Sequence, residues 1–129
     1  MRTQVTISDG PLAGGRSVAV DGAGAAVVFE GIVRGMEDGA RIAGLEYRVY
    51  EPMASRELSR LAEDVAGRHG LIAMDVEHSR GTVPVGACSF RLRVWSAHRK
   101  EALAAMDEFI NRMKRDVPIW KSAVPSSAG

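Results

Sequence analysis

The chain has 129 residues, one cysteine and a formal net charge of +1, since 17 Lys+Arg offset 16 Asp+Glu. This length suits one domain with its own core, and a single cysteine excludes an internal disulfide framework or a four-cysteine zinc site in one chain. No apolar run is long enough to span a membrane and the amino terminus lacks the apolar segment of a signal peptide, so we expect a cytoplasmic protein.

The first half of the chain has the pattern of a β-rich region. Residues 2–7 alternate between polar and β-branched types, which predicts a strand, and the glycine-rich segment 8–24 predicts a loop. Residues 25–34 form a mostly apolar run that predicts a buried strand. A turn is expected at 35–39, and the alternation over 41–50 predicts a third strand.

The second half alternates helices with strands. Pro52 in a first turn and Gly67 to Gly70 at the end predict a helix that begins at Glu51-Pro52, and a strand is expected at 71–78. Residues 81–86 predict a loop and 87–96 a strand. A second helix is expected from His98 to Arg115, and residues 117–121 should leave it in extended form because Pro118 disfavours the helical region for the residue before it.

Apolar side chains at helical or strand spacing identify the expected core faces. The first helix should bury Ala54, Leu58, Leu61, Ala62 and Val65. The second should bury Leu103, Met106, Phe109, Ile110 and Met113. In the strand at 87–96 we expect Cys88, Phe90, Leu92 and Val94 to point inward and Ser89, Arg91, Arg93 and Trp95 outward.

Two long helices among alternating strands favour an α+β fold with an antiparallel or mixed sheet. Neither an internal repeat nor a linker is evident in the sequence. We expect one domain over residues 1–121, followed by a flexible C-terminal tail at 122–129, which is made mostly of small residues.

The near-neutral total hides a segregation of charge. Residues 78–121 hold nine Lys/Arg and four Asp/Glu, a net +5, and the rest of the chain carries −4. Such a basic half suits a compact anionic ligand or an acidic partner, although solvated surface charge would give the same count.

Five basic residues stand at the ends of predicted elements, where backbone groups and side chains can bind anions together. They are Arg34, His98, Arg99, Lys114 and Lys121. Lys114 in a last helical turn could simply complement the helix dipole, and Lys121 could be an ordinary exposed lysine. The apolar frame at 117–120 suggests instead that Lys121 is partly desolvated near another cation, which would make it usable as a base or nucleophile.

Other residue types offer little chemistry. Cys88 falls on the inward face of a strand, so we expect a core side chain rather than a nucleophile. The three histidines, His69, His78 and His98, are scattered over separate elements, which gives a metal site poor support.

Five motifs in order give the chain a resemblance to one family. They are FEGIVR at 29–34, LEY at 45–47 with YEPMA at 50–54, G81 with VPVG at 83–86, SAHR at 96–99 with EA at 101–102, and MK at 113–114 with VPIWK at 117–121. Together they resemble MoaE, the large catalytic subunits of molybdopterin synthases, over residues 1–121.

The resemblance implies an α/β hammerhead fold, a homodimer, and a heterotetramer with two small ubiquitin-like sulfur-carrier subunits. It implies sulfur transfer from the carrier's C-terminal Gly-Gly thiocarboxylate to cyclic pyranopterin monophosphate, which forms the dithiolene of molybdopterin without a metal or organic cofactor. It assigns catalysis to Lys114 and Lys121, and substrate binding to Arg34, His98 and Arg99.

The sequence departs from the family pattern at three places, which are Ser79, Ala87 and Ser122-Ala123. These departures leave open an alternative, a non-catalytic dimeric module that binds the carrier without turnover. A small RNA- or nucleotide-binding domain is a second alternative from the basic half alone, but only 5% of the residues are aromatic, which gives few bases a stacking partner.

Overall fold

The computed structural model describes residues 1–15 and 19–126 and has an α+β architecture, as the sequence predicts. Its elements in chain order are β1 Arg2–Asp9, β2 Ala25–Ile32, β3 Met36–Glu37, β4 Ala40–Val49, α1 Met53–His69, β5 Ala73–Pro84, β6 Cys88–Ser96, α2 Arg99–Asp116 and β7 Ile119–Pro125. Within those residues, no helix is both long and apolar enough to cross a membrane.

The strands form one mixed sheet in the order β2-β6-β5-β4-β3, with β1 added beside β5 and β7 beside β4. Only the β1–β5 pair is parallel among the described pairings. The long strand β5 joins two regions, because its first half pairs with β1 and β6 and its last residues pair with β4.

Helix α1 buries the apolar stripe that its spacing predicts. All five expected residues are buried, with Leu58 and Val65 completely inaccessible. Gly70 ends the helix in the left-handed conformation at φ 63°, which glycine adopts without the penalty of a Cβ atom. The helix packs against α2 and lies over β1 and β5.

Helix α2 differs from the prediction at one position. Met106, Phe109 and Met113 are buried and Ile110 is half-buried, but Leu103 is 52% exposed. The buried stripe passes instead through Ala102 and Ala105, which are completely inaccessible. Helical geometry sets the face, and the larger side chain at 103 lies just outside it.

Strand β6 is buried on both faces, contrary to the expected outward face. Trp95 and Arg91 are 2% and 4% exposed, although they point away from the helices. The guanidinium of Arg91 donates to Glu30 on β2 and Glu77 on β5 at 2.8 and 3.0 Å, so neighbouring strands supply its counter-charges. Buried charges of this kind are retained only when they are paired.

Three other segments also differ from the sequence-based expectations. The predicted loop at 81–86 belongs to β5 as far as Pro84, because β4 pairs with it there. Residues 122–125, expected in a flexible tail, belong to β7 and pair with β4. The turn at 35–39 contains the short strand β3. Residues 16–18 of the predicted loop and 127–129 of the predicted tail lie outside the described residues.

Candidate functional site

A pocket of about 440 Å³ opens where β2, β4 and β7 meet the C-terminal half of α2. Its walls are mostly apolar and include Phe29 and Ile32 from β2, Ile110 and Met113 from α2, and Ile119 from β7. Phe29 and Ile32 are 39% and 50% exposed, so apolar surface continues from the pocket onto its rim. An apolar cavity with a few polar groups is the usual form of a small-molecule site.

Three cations from three different elements line this pocket. Arg34 follows the end of β2, Lys114 lies in the last turn of α2, and Lys121 is the third residue of β7. The structure therefore brings together three of the five site residues expected from the sequence. Convergent positive charge beside apolar walls favours an anion that also carries an apolar or planar part.

The surroundings of Lys121 differ from the desolvated environment expected from its sequence neighbours. Its side chain is 52% exposed and its Nζ lies 3.1 Å from Oε1 of Glu37. Trp120, which was expected to shield it, is itself 57% exposed. Alternation along β7 places neighbouring side chains on opposite faces of the strand, so Trp120 and Lys121 point apart.

Glu37 also lines the pocket and was missed by the sequence analysis, which assigned residues 35–39 only to a turn. It lies on β3, in a tight hairpin whose turn residues Asp38 and Gly39 have φ values of 50° and 80°. The Asp-Gly pair is a recognised signal for such a hairpin and could have indicated that Glu37 occupies a strand.

A small polar group forms the floor of the pocket. His78, Tyr47 and Ser89 all line it, and the Tyr47 hydroxyl and Ser89 Oγ are hydrogen-bonded at 2.9 Å. The rings of Tyr47 and His78 meet edge-on, with centroids 5.2 Å apart. These residues come from β4, β5 and β6, so sheet pairing alone places them side by side.

His78 is only 5% exposed. Burial lowers its pKa below 6.5, against a smaller opposing effect of the backbone of Ser79. Its Nδ1 lies 2.8 Å from the Ser79 carbonyl oxygen, which can only accept, so Nδ1 carries the hydrogen and donates it. The imidazole at the floor is therefore neutral at pH 7, with Nε2 as the unprotonated nitrogen.

His98 and Arg99 do not line this pocket. They lie at the N-terminal end of α2, whereas Lys114 lies near its C-terminal end, roughly 22 Å away at 1.5 Å per residue. The His98 side chain is 83% exposed, and its backbone N–H donates to Glu101 at 3.2 Å. Within one copy of the chain, the residues expected to form one anion pocket therefore lie at two distant places.

Cys88 is a buried core residue, as expected, and does not line the pocket. Burial raises the pKa of its thiol, and Sγ donates to the Phe90 carbonyl oxygen at 3.3 Å. Among residues 1–15 and 19–126, no group of three or more His, Cys, Asp or Glu side chains has the arrangement of a metal site.

A family model and individual similar proteins point to the same family. The family model described as MoaE protein matches residues 10–116. The molybdopterin synthase catalytic subunit of Culex quinquefasciatus is 36% identical over 105 residues, which are 81% of this chain and 67% of that protein. The subunit of the same name from Nostoc sp. is 39% identical over 99 residues, 76% of this chain and 60% of its own length.

Solved structures share the fold over most of this chain. The crystal structure of molybdopterin synthase from Staphylococcus aureus superposes with a TM-score of 0.77 at 33% identity and covers 84% of this chain and 80% of that one. A complex of subunits 1 and 2 of molybdopterin-converting factor from Helicobacter pylori gives a TM-score of 0.72 at 26% identity, with 95% and 90% covered. Since the family model matches most of its length, this chain belongs to the MoaE family.

Proposed function

We propose that the protein is the catalytic subunit of a molybdopterin synthase. It would transfer sulfur from the C-terminal thiocarboxylate of a small carrier subunit to cyclic pyranopterin monophosphate. The observation that carries this proposal is the convergence of Arg34, Lys114 and Lys121 on one pocket with apolar walls. The names of the similar proteins and the two-subunit Helicobacter pylori complex support it.

The edge of β2 offers a place for the carrier's extended tail. Among the described strands, β2 pairs with β6 alone, and its residues Phe29, Gly31 and Ile32 line the pocket. An extended Gly-Gly segment can add to such an edge through backbone hydrogen bonds. The tail's terminal thiocarboxylate would then enter the cationic part of the pocket.

The two lysines provide positive charge where the reaction develops negative charge. As the thiocarboxylate sulfur bonds to a substrate carbon, a carbon–oxygen bond at that carbon breaks and its oxygen leaves, so the carrier becomes joined to the substrate as a thioester. Water then cleaves the bond between the carbonyl carbon and sulfur, which leaves sulfur on the substrate and a carboxylate on the carrier. Attack on the thioester carbonyl creates an oxyanion, which an ammonium group of Lys114 or Lys121 stabilises. Arg34 would bind the substrate phosphate through its fork of N–H donors.

The substrate-binding role of His98 and Arg99 requires a second copy of the chain. Within one copy they are too far from Lys114 to contact the same small molecule. In a homodimer with two-fold symmetry, however, each pocket can receive residues from the partner copy. The proposed heterotetramer, two copies of this chain and two carriers, satisfies that requirement.

Incubation with thiocarboxylated carrier and cyclic pyranopterin monophosphate, followed by assay for molybdopterin, tests the proposal. We expect Lys121→Ala to lower product formation by about a hundredfold or more, as loss of an oxyanion-stabilising group does, while carrier binding persists. Lys100→Ala, at an exposed lysine of α2 outside the pocket, is the matched control.

A near-normal yield from Lys121→Ala would refute the assigned role of this lysine. Carrier binding without any product from the unmodified protein would favour the alternative of a non-catalytic carrier-binding module.

A further inference from the structure

The pocket contains one carboxylate among its described lining residues, that of Glu37. Its Oε1 lies 3.1 Å from Nζ of Lys121, and the Glu37 side chain is 21% exposed. In the part of the chain that the structure describes, neither Arg34 nor Lys114 has a carboxylate partner within ion-pair distance. Lys121 is therefore paired with a carboxylate, whereas Arg34 and Lys114 are available to an incoming anion.

The ion pair joins two segments that the sheet fixes independently. Lys121 lies on β7 opposite Tyr47 of β4, whereas Glu37 lies on β3 opposite Ala40, at the other end of β4. The ion pair therefore connects β3 and β7, which pair with different parts of β4. Neither segment depends on the ion pair for its backbone pairing, so loss of the carboxylate should spare the fold.

We propose that Glu37 is a positioning residue that holds the ammonium group of Lys121 in place for the chemical step. The inference rests on the proposed function, which gives Lys121 its task. A lysine has a long stem with many rotamers, and Lys121 is half exposed, so without a partner its ammonium group would sample many positions. An ammonium group that is already in place stabilises the developing charge without reorganisation.

The unequal pairing also determines how strongly each cation attracts an anion in the ground state. Arg34 and Lys114 keep their full charge for the anionic groups of the substrate and the carrier tail. Lys121 is balanced by Glu37, so it contributes less to binding of an anion in the ground state. Loss of Glu37 should therefore lower kcat and leave KM unchanged or decreased, because one negative charge leaves a pocket that binds anions.

The activity test compares Glu37→Ala and Glu37→Gln in the synthase assay with carrier and substrate. We expect Glu37→Ala to lower kcat by about tenfold to a hundredfold without raising KM, as displacement of a positioned group does. Glu37→Gln retains an oxygen that can accept from Lys121 and should lose less. Glu46→Ala is the matched control, since this exposed glutamate of β4 lies outside the pocket.

A second measurement observes the position of the ammonium group directly and needs no turnover. Side-chain NMR order parameters of the lysine ε-methylene groups should fall for Lys121 in Glu37→Ala and stay unchanged for Lys114. A merely structural role of the hairpin would instead lower the urea midpoint of unfolding and affect both lysines alike.

The outcomes separate this inference from the proposed function. If Lys121→Ala is inactive while Glu37→Ala retains the wild-type kcat and the wild-type order at Lys121, Glu37 is not a positioning residue and the proposed function stands. If Lys121→Ala is fully active, the role proposed for Lys121 fails, whatever Glu37 does to its mobility.

Discussion

His78 occupies the floor of the pocket beneath three cations and remains uncharged there. Its neutrality has a physical cause, because burial lowers its pKa and the Ser79 carbonyl already uses the Nδ1 hydrogen. A protonated imidazole would add a fourth positive charge to a pocket that holds one carboxylate among its described residues. With a neutral floor, the positive charges of the pocket among the described residues are those of Arg34, Lys114 and Lys121.

The same burial makes the stability of the protein depend on His78 at acid pH. The unfolded chain takes up a proton at the ordinary pKa of 6.5, whereas the folded protein resists protonation until lower pH. The unfolded state then binds more protons, so the free energy of unfolding falls as the pH is lowered below about 6.5. Above that pH the contribution of His78 is fully present.

Urea unfolding of the wild type and of His78→Gln at pH 8 and at pH 5.5 tests this expectation. The difference at pH 8, where the histidine is neutral in both states, gives the packing cost of the substitution. We expect the wild type to lose more stability than the variant between the two pH values. Equal losses would show that His78 does not titrate differently in the two states.

At the scale of elements, helix α2 shows how well hydrophobic periodicity predicts which side chains are buried. The spacing correctly identified a core-facing stripe, but it included Leu103, which is half exposed, and omitted Ala102 and Ala105, which are inaccessible. The prediction favoured the larger side chain, whereas the buried face of the helix carries the two small alanines. The stripe's centre, Phe109, stacks on Phe90 of β6 with ring centroids 6.5 Å apart.

Two substitutions in α2 should therefore differ greatly in cost. Phe109→Ala removes a completely buried ring and should lower the free energy of unfolding by about 3–5 kcal/mol. Leu103→Ala removes a half-exposed side chain and should change it by about 0.5 kcal/mol or less. Urea unfolding at low protein concentration measures both, and a large cost for Leu103→Ala would contradict its exposure in the single chain.

The segments that the sequence misassigned share one physical property. The end of β5 and residues 122–125 of β7 are strands because β4 pairs with them across the sheet. Their own residues favour loops locally, because Gly81 begins the first segment, Ser122 begins the second, and each segment ends in proline. Backbone pairing with a distant strand overrode that local preference. Helix α1 was predictable from the sequence, because its cap signals and its apolar stripe lie within one segment.

At the scale of the whole molecule, the sequence suggested a set of site residues, and the structure shows which of them lie together. The resemblance supplied five site residues, and the structure places Arg34, Lys114 and Lys121 in one pocket but His98 and Arg99 at the far end of α2. The predicted helix from His98 to Arg115 already implied that separation, because residues at its two ends lie roughly 22 Å apart at 1.5 Å per residue. Glu37 was missed because residues 35–39 were assigned only to a turn, and its contact with Lys121 arises only when the folded hairpin brings the two residues together.

The separation leads to a prediction about mixed dimers of two inactive variants. If each pocket combines Lys121 of one copy with Arg99 of the other, a dimer of Lys121→Ala with Arg99→Ala contains one intact site and one doubly altered site. Random mixing makes half of the dimers mixed, so about a quarter of the wild-type activity should return. The control mixes Lys121→Ala with Lys114→Ala, whose lysines line the same pocket of one chain and should restore nothing. Differently tagged copies verify that mixed dimers form, and if they form without activity, the substrate site does not draw Arg99 from a second copy.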